Sequence, residues 1–175
     1  MNNRKILKGQ SLILFNKILF IWITSIFIIS AFGYIFSVDV TKCSVYSYLQ
    51  IIAPSIESWS SSTKHQEIMR LIWAYMTLSG PIVFILMFKY INLIKVNHLK
   101  RHEIFLYLVL FILFFYSSFI GILDGEIPSP NSYRFARLYY YSLFWSISIS
   151  IAQWIVLLFS SLVLSTLIKN HISDT

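Results

Sequence analysis

Four stretches of the chain hold no Asp, Glu, Lys or Arg: Ile18 to Val38, Leu71 to Phe88, Ile104 to Leu123 and Leu143 to Ile168. A bilayer core takes about 20 residues of helix. Three of the runs reach or nearly reach that length. The second is shorter, but Lys89 can snorkel and lets a helix continue through Tyr90 and Ile91. The pattern predicts an all-α membrane protein with four transmembrane helices, at about 18–38, 68–91, 104–123 and 143–168, forming one membrane domain over 1–175.

One segment resists this reading at first sight. SISISIAQW, Ser146 to Trp154, alternates polar and apolar residues as a half-buried strand does. A lone strand in lipid leaves backbone groups unpaired, at several kcal/mol each. The long charge-free runs also differ from the short alternating segments of a membrane barrel. The segment is therefore expected to be helical. Ser146, Ser150 and Gln153 then fall on one face, extended by Ser160 or Ser161 and by Ser165.

Between the runs, the periodicity changes. In SVYSYLQIIAPS, Val45, Tyr48, Leu49 and Ile52 recur at helical spacing, and Pro54 ends the pattern. Either a short amphipathic helix lies on the membrane surface here, or an irregular loop is anchored by a few aromatics. SWSSS reads as a flexible connector, and Thr63 followed by Gln66 resembles a capping box. Further on, Pro128 and Pro130 break structure, and Asn131 or Ser132 can cap the next helix. A helix from Tyr133 to Ile168 exceeds the bilayer, so YRFARLYYY is expected to emerge as an aromatic belt. Arg134 and Arg137 lie there at i and i+3, facing either lipid phosphates or a partner's acids.

Composition agrees with the membrane reading: 57% of the 175 residues are hydrophobic and only 12% charged. The net charge of +7 is distributed unevenly. Arg4, Lys5, Lys8 and Lys17 precede the first run without an acid, and Lys89, Lys95, Lys100 and Arg101 lie between the second and third with one Glu103. The other two loops are balanced. The Lys/Arg excess predicts cytoplasmic N- and C-termini. It is a topology signal spread over short segments, not the basic face of a nucleic-acid binder. The first run is too long for a cleaved signal peptide and lacks a small-x-small site, so it is expected to be retained. Low Gly with many Ile, Phe, Lys and Asn fits an AT-rich bacterial gene.

Chemistry is narrowed by elimination. No ionisable residue lies in the four cores, which argues against proton- or sodium-coupled transport. The single Cys43 cannot form an internal disulfide. His65, His98, His102 and His171 all lie outside the cores; His98 and His102 have i, i+4 spacing but no third ligand. No phosphate-binding or dinucleotide motif and no nucleophile elbow is present. The expectation is no enzyme, no cofactor and no metal.

What remains is helix packing. Gly33 and Ser37 form a small-xxx-small pair. In TLSGPIVF, Pro81 cannot donate to the Thr77 carbonyl, so a kink is expected, with the Thr77 or Ser79 hydroxyl serving freed backbone. Tyr116, Ser117, Ser118 and Gly121 mark one end of the third run. These faces are either internal glue or a surface that receives another protein's helices.

Two short motifs carry a resemblance. Ala53-Pro54-Ser55-Ile56 lies in the first loop, and Tyr75 to Pro81, YMTLSGP, lies in the second run, followed by a basic loop. With the length and the four spans, the chain resembles the immunity proteins of the colicin A/B/N group of pore-forming colicins. YRFARLYYY departs from that pattern. The resemblance implies a non-enzymatic inner-membrane protein. Its partner would be the pore-forming domain of a bacteriocin, trapped before the pore opens. Candidate contacts under that reading are Gly80, Pro81, Ser150 and Gln153 within the membrane, and Pro54, Trp59, Arg134 and Arg137 outside it. The other partner expected from sequence is membrane lipid. Competing readings are an accessory or exclusion subunit of a larger membrane assembly and a small channel or facilitator lined by the serine face.

Overall fold

The computed structural model describes residues 2–91, 101–119 and 134–173, with side chains at 13–89, 102–119 and 137–169. Among the described residues there are seven α-helices and no strand: α1 (Asn2–Phe36), α2 (Ser44–Ile52), α3 (Ser55–Ser61), α4 (Gln66–Ile91), α5 (Arg101–Phe119), α6 (Arg134–Tyr141) and α7 (Leu143–Ser173). Four of them are long and apolar enough to cross a membrane, over Ile13–Phe36, Gln66–Lys89, His102–Phe119 and Leu143–Lys169. SISISIAQW lies inside α7 and is helical throughout. The basic loop with Lys95, His98 and Lys100, Gly121, the Pro128 and Pro130 break and the Asn131 or Ser132 cap lie outside the described residues.

The helices do not form a symmetric square. α1 packs on α4 and α4 on α7, while α5 leans on α7, with α3 touching it. α1 also reaches α7 through Phe15 and Phe159, edge to face at 5.7 Å, and Phe27 and Phe144, stacked at 6.5 Å. Three helices thus enclose the core, in which Ile26, Trp73, Met76 and Leu162 are fully buried. α5 rides outside: 6% of its span is buried, against 50% for α7. Apolar burial gives helices little reason to associate in lipid, so small residues and polar bonds decide the contacts. The α1–α4 seam shows both. The Trp22 indole N–H donates to Ser79 Oγ at 2.8 Å, and the Ser25 and Tyr75 hydroxyls meet at 2.7 Å. A Cβ on Gly33 would lie 2.7 Å from Leu71 Cδ2.

Several local expectations change. Ser37 is not the second half of a small-xxx-small contact: it is exposed, with φ 47°, and the Val38 N–H bonds back to the Gly33 carbonyl at 3.4 Å. That is a left-handed helix stop, and it ends α1 at Phe36. α4 runs through Pro81 without interruption. The Ser79 hydroxyl donates to the Tyr75 carbonyl at 2.7 Å, not to the Thr77 carbonyl that Pro81 deprives.

SWSSS is not a flexible connector but most of α3. Pro54 pre-sets the first turn, as its fixed φ allows. The helical alternative for SVYSYLQIIAPS is the one formed: α2 turns Tyr46 and Leu49 to the protein and leaves Val45, Tyr48 and Ile52 exposed. A bond from the Tyr46 hydroxyl to Glu57 across the α2–α3 corner sets that rotation. Thr63 precedes α4 by a turn: its Oγ1 accepts from the His65 N–H at 3.0 Å, while the helix starts at Gln66.

The long fourth helix is two helices meeting at Ser142. The carbonyls that continuity would use are taken elsewhere. Tyr139 O accepts from the Ser146 hydroxyl, and Tyr140 O accepts from the Lys64 N–H at 3.1 Å. Lys64 Nζ lies over the Tyr141 ring, 4.4 Å from its centroid.

Candidate functional site

The bundle carries two features of functional interest, a polar node at the α2–α3 end and an apolar groove along α5. The node lies where α5 meets α3 and α7. Near the end of the described part of α5, Ser117 O accepts from the Trp59 indole at 2.9 Å and Ser118 O accepts from the Ser55 hydroxyl. From α7, Gln153 Nε2 donates to Ser117 Oγ at 2.9 Å and to Ser118 Oγ at 3.3 Å. One pair of serines therefore ties α5 to both α3 and α7. Gln153→Leu removes the α7 half of this tie. The expected cost is roughly 1 kcal/mol, read as a lower SDS midpoint of unfolding, with faster amide exchange confined to α5.

Beside it, Glu57 gathers three partners. Its Oε1 accepts from Tyr46 Oη at 2.6 Å and from Gln50 Nε2 at 2.8 Å, and its Oε2 from Arg70 Nε and Nη2 at 3.1 and 3.0 Å. Burial pushes the Glu57 carboxyl up, but the bonds from Tyr46 and Arg70, the Arg70 charge and the bond from Gln50 outweigh it. The net pKa lies below the ordinary 4.5. Burial and the Glu57 bond raise the Tyr46 phenol. A carboxyl with a depressed folded pKa contributes stability that is present above its unfolded pKa and lost as pH falls through the folded one. The α2–α3 segment should hold at neutral pH and loosen below about 4.5. Amide exchange of α2 measured from pH 7 to pH 3 checks this, and Glu57→Gln should flatten the dependence.

The groove has a different character. α4 and α5 splay apart, leaving a space of about 460 Å³ floored by α7. Gly80, Pro81 and Phe84 form one wall and Leu108, Phe111, Phe115 and Phe119 the other; Trp154 to Ile168 of α7 lie between. Those α7 residues extend about 21 Å along the helix, at 1.5 Å per residue. The groove thus covers the half of the bundle nearer the chain termini. Its floor holds two hydroxyls, Ser161, bonded to the Leu157 carbonyl at 2.6 Å, and Ser165; the rest of the lining is apolar.

The sequence-derived candidates separate into three groups. Gly80 and Pro81 stand together in the groove wall. Ser150 and Gln153 are turned into the bundle, at 0% and 6% exposure. Trp59 is half-buried, stacked on Trp73 at 5.7 Å and meeting Tyr139 edge-on at 5.6 Å, which makes it part of the packing. Pro54 and Arg137 are exposed. Arg134 opens α6, and its side chain lies outside the described residues. Arg137, Leu138, Tyr141 and Ser142 line a shallow surface hollow.

Sequence reasoning missed Glu57 as a hub and α5 as a groove wall. The first had no distinctive signal, since Glu57 lies thirteen residues before Arg70 in a polar stretch that also holds Lys64, His65 and Glu67. The second had none, because from Leu108 to Phe115 α5 is apolar all round. Among the described residues, no three His, Cys, Asp or Glu side chains group as metal ligands. No family model, characterised protein or solved structure matches this chain.

Proposed function

We propose that this protein is an immunity factor of the bacterial inner membrane, with both termini cytoplasmic, that protects its cell by seating the inserted helices of a pore-forming bacteriocin in the α4–α5–α7 groove. The groove itself is the observation that carries this reading. It is long enough for about four helical turns, apolar apart from Ser161 and Ser165, and bounded by a helix that gives little of its surface to its own bundle. Lipid acyl chains fill such a groove by default. A helix displaces them when it packs more closely along the groove than acyl chains do. Because the groove lies in the half nearer the termini, its occupant must span most of the bilayer. That fits an inserted hairpin better than a surface-lying helix. The resemblance of the Pro54 and Pro81 segments to the pore-forming colicin immunity proteins points the same way.

Expression in a bacteriocin-sensitive strain tests the proposal. Cells challenged with a broad panel of pore-forming bacteriocins should resist at least one, with potassium efflux suppressed. Sensitivity to every member would refute it. A bundle that instead co-purifies in mild detergent with stoichiometric membrane subunits would favour an accessory role.

A further inference from the structure

The α4–α5–α7 groove changes character along its length. Near the middle of the α7 span it is aromatic, where Trp154 meets Phe119 at 5.7 Å. Towards the chain termini its floor turns polar: Ser161, Ser165 and then the exposed Lys169 follow one another at intervals of one turn. Lys169 stands at the end of the α4 wall. Its Nζ lies over the Phe88 ring, 5.8 Å from the centroid, and Phe88 stacks on Phe84 of the wall at 5.9 Å. At the same level Lys89 ends the α4 span and Arg101 opens α5. Against these cations stands one acid, Glu103, so the mouth of the groove carries an excess of positive charge.

We infer that the groove is the site of an anionic phospholipid from the leaflet on the side of the chain termini, with one acyl chain between α4 and α5 and the phosphate at Lys169. The depths decide the register. From Trp154 to Ser165 the floor runs about 16 Å at about 1.5 Å per residue. One leaflet of a hydrocarbon core of about 30 Å is about 15 Å deep, so a chain ending beside Trp154 brings its ester group to Ser165. The next turn, to Lys169, adds about 6 Å, which is the thickness of a headgroup layer, about 5–7 Å. Apolar surface, hydroxyl and ammonium thus follow in the order that chain, ester and phosphate do. Charge selects among lipids. A basic pocket between membrane helices favours an anionic headgroup, whereas a zwitterionic one brings its own cation to the mouth. The inference goes beyond the bacteriocin reading and does not rest on it: it states what occupies the groove when no toxin is present, and what an entering helix would displace.

Lipid retention by the purified chain tests this. The full chain in mild detergent is mixed with equal amounts of phosphatidylglycerol and phosphatidylcholine bearing identical acyl chains, and bound lipid is counted by native mass spectrometry. A single phosphatidylglycerol should be retained, preferred over phosphatidylcholine by about fivefold, the effect of one basic residue beside an anionic headgroup. Lys169→Gln should remove most of that preference. Lys17→Gln, on α1 and outside the groove, should leave it unchanged. Ser165→Phe fills the floor with Lys169 intact and should lower retention of both lipids several-fold. Equal retention of the two lipids by the wild type, or an unchanged preference in Lys169→Gln, overturns the proposal. Full retention in Ser165→Phe places the lipid outside the groove and overturns it as well. No bacteriocin enters the measurement, so a failure here leaves the immunity reading standing, and a failure of protection leaves the lipid site standing.

Discussion

Gly80→Ala is expected to destabilise the solubilised bundle by about 2 kcal/mol, since inserting one methyl into a close-packed contact costs roughly 1–3 kcal/mol. The new Cβ would collide with Trp154 Cζ3 and lie 3.0 Å from Cε3 and 3.2 Å from Cη2. An indole ring cannot bend away as the end of a leucine can. Trp154 is also held from other sides: by Trp73 at 6.5 Å and by Phe119 at 5.7 Å. Relief must come from separating α4 and α7, which opens the seam that holds the core. Trp154→Phe removes the colliding ring atoms at the cost of a cavity. The double variant should therefore be less destabilised than the sum of the singles, by about 0.5 kcal/mol or more. Additive losses would show that Gly80 does not bear on Trp154.

Glu57→Ala has the second large effect. The carboxylate serves Tyr46, Gln50 and Arg70 at once, and hydrogen bonds to a charged group contribute about 1.5–3 kcal/mol. The Glu57 side chain is 35% exposed and that of Arg70 24%, so water replaces part of what is lost. A net loss of about 2 kcal/mol is expected, with fast amide exchange in α2 and α3 while α7 stays protected. Glu57→Gln keeps an acceptor for Tyr46 but gives up the charge that Arg70 meets. It should lose about half as much. Equal protection of α2 in wild type and Glu57→Ala would mean that the corner is held by Leu49 and Ala53 packing instead.

The spans were legible because lipid imposes a simple rule. A charge-free run of the right length has one stable backbone form, and this overrode even the strand-like SISISI pattern. The α2–α3 corner was much less legible. Whether Tyr46 or Tyr48 faces inward depends on Glu57, which lies beyond Pro54 and outside any periodicity window. SWSSS read as a connector because serines score poorly for helix. In the fold, Ser60 and Ser62 bond carbonyls of their own turn, and Trp59 stacks on Trp73. Ser142 breaks the last helix because Lys64, far earlier in the chain, takes the Tyr140 carbonyl. No local signal encodes that. The groove was half legible. Gly80 and Pro81 marked its wall in the sequence. α5 did not, since from Leu108 to Phe115 its residues are apolar all round. Ser146, Ser150 and Gln153 are all turned into the bundle, as the helical spacing predicts, and the bonds from Gln153 to Ser117 and Ser118 could not be foreseen without the helix order.

The groove's occupant can be read directly by photocrosslinking. A photoreactive side chain at Phe111 faces the groove, and one at Leu113, exposed on the outer side of α5, serves as the lipid-facing control. Cells expressing either variant are challenged with a pore-forming bacteriocin against which the wild-type chain protects. The account predicts a crosslink from position 111 to the hydrophobic hairpin of the bacteriocin, and none from position 113. Protection with no crosslink from 111, or equal crosslinking from both positions, would contradict it.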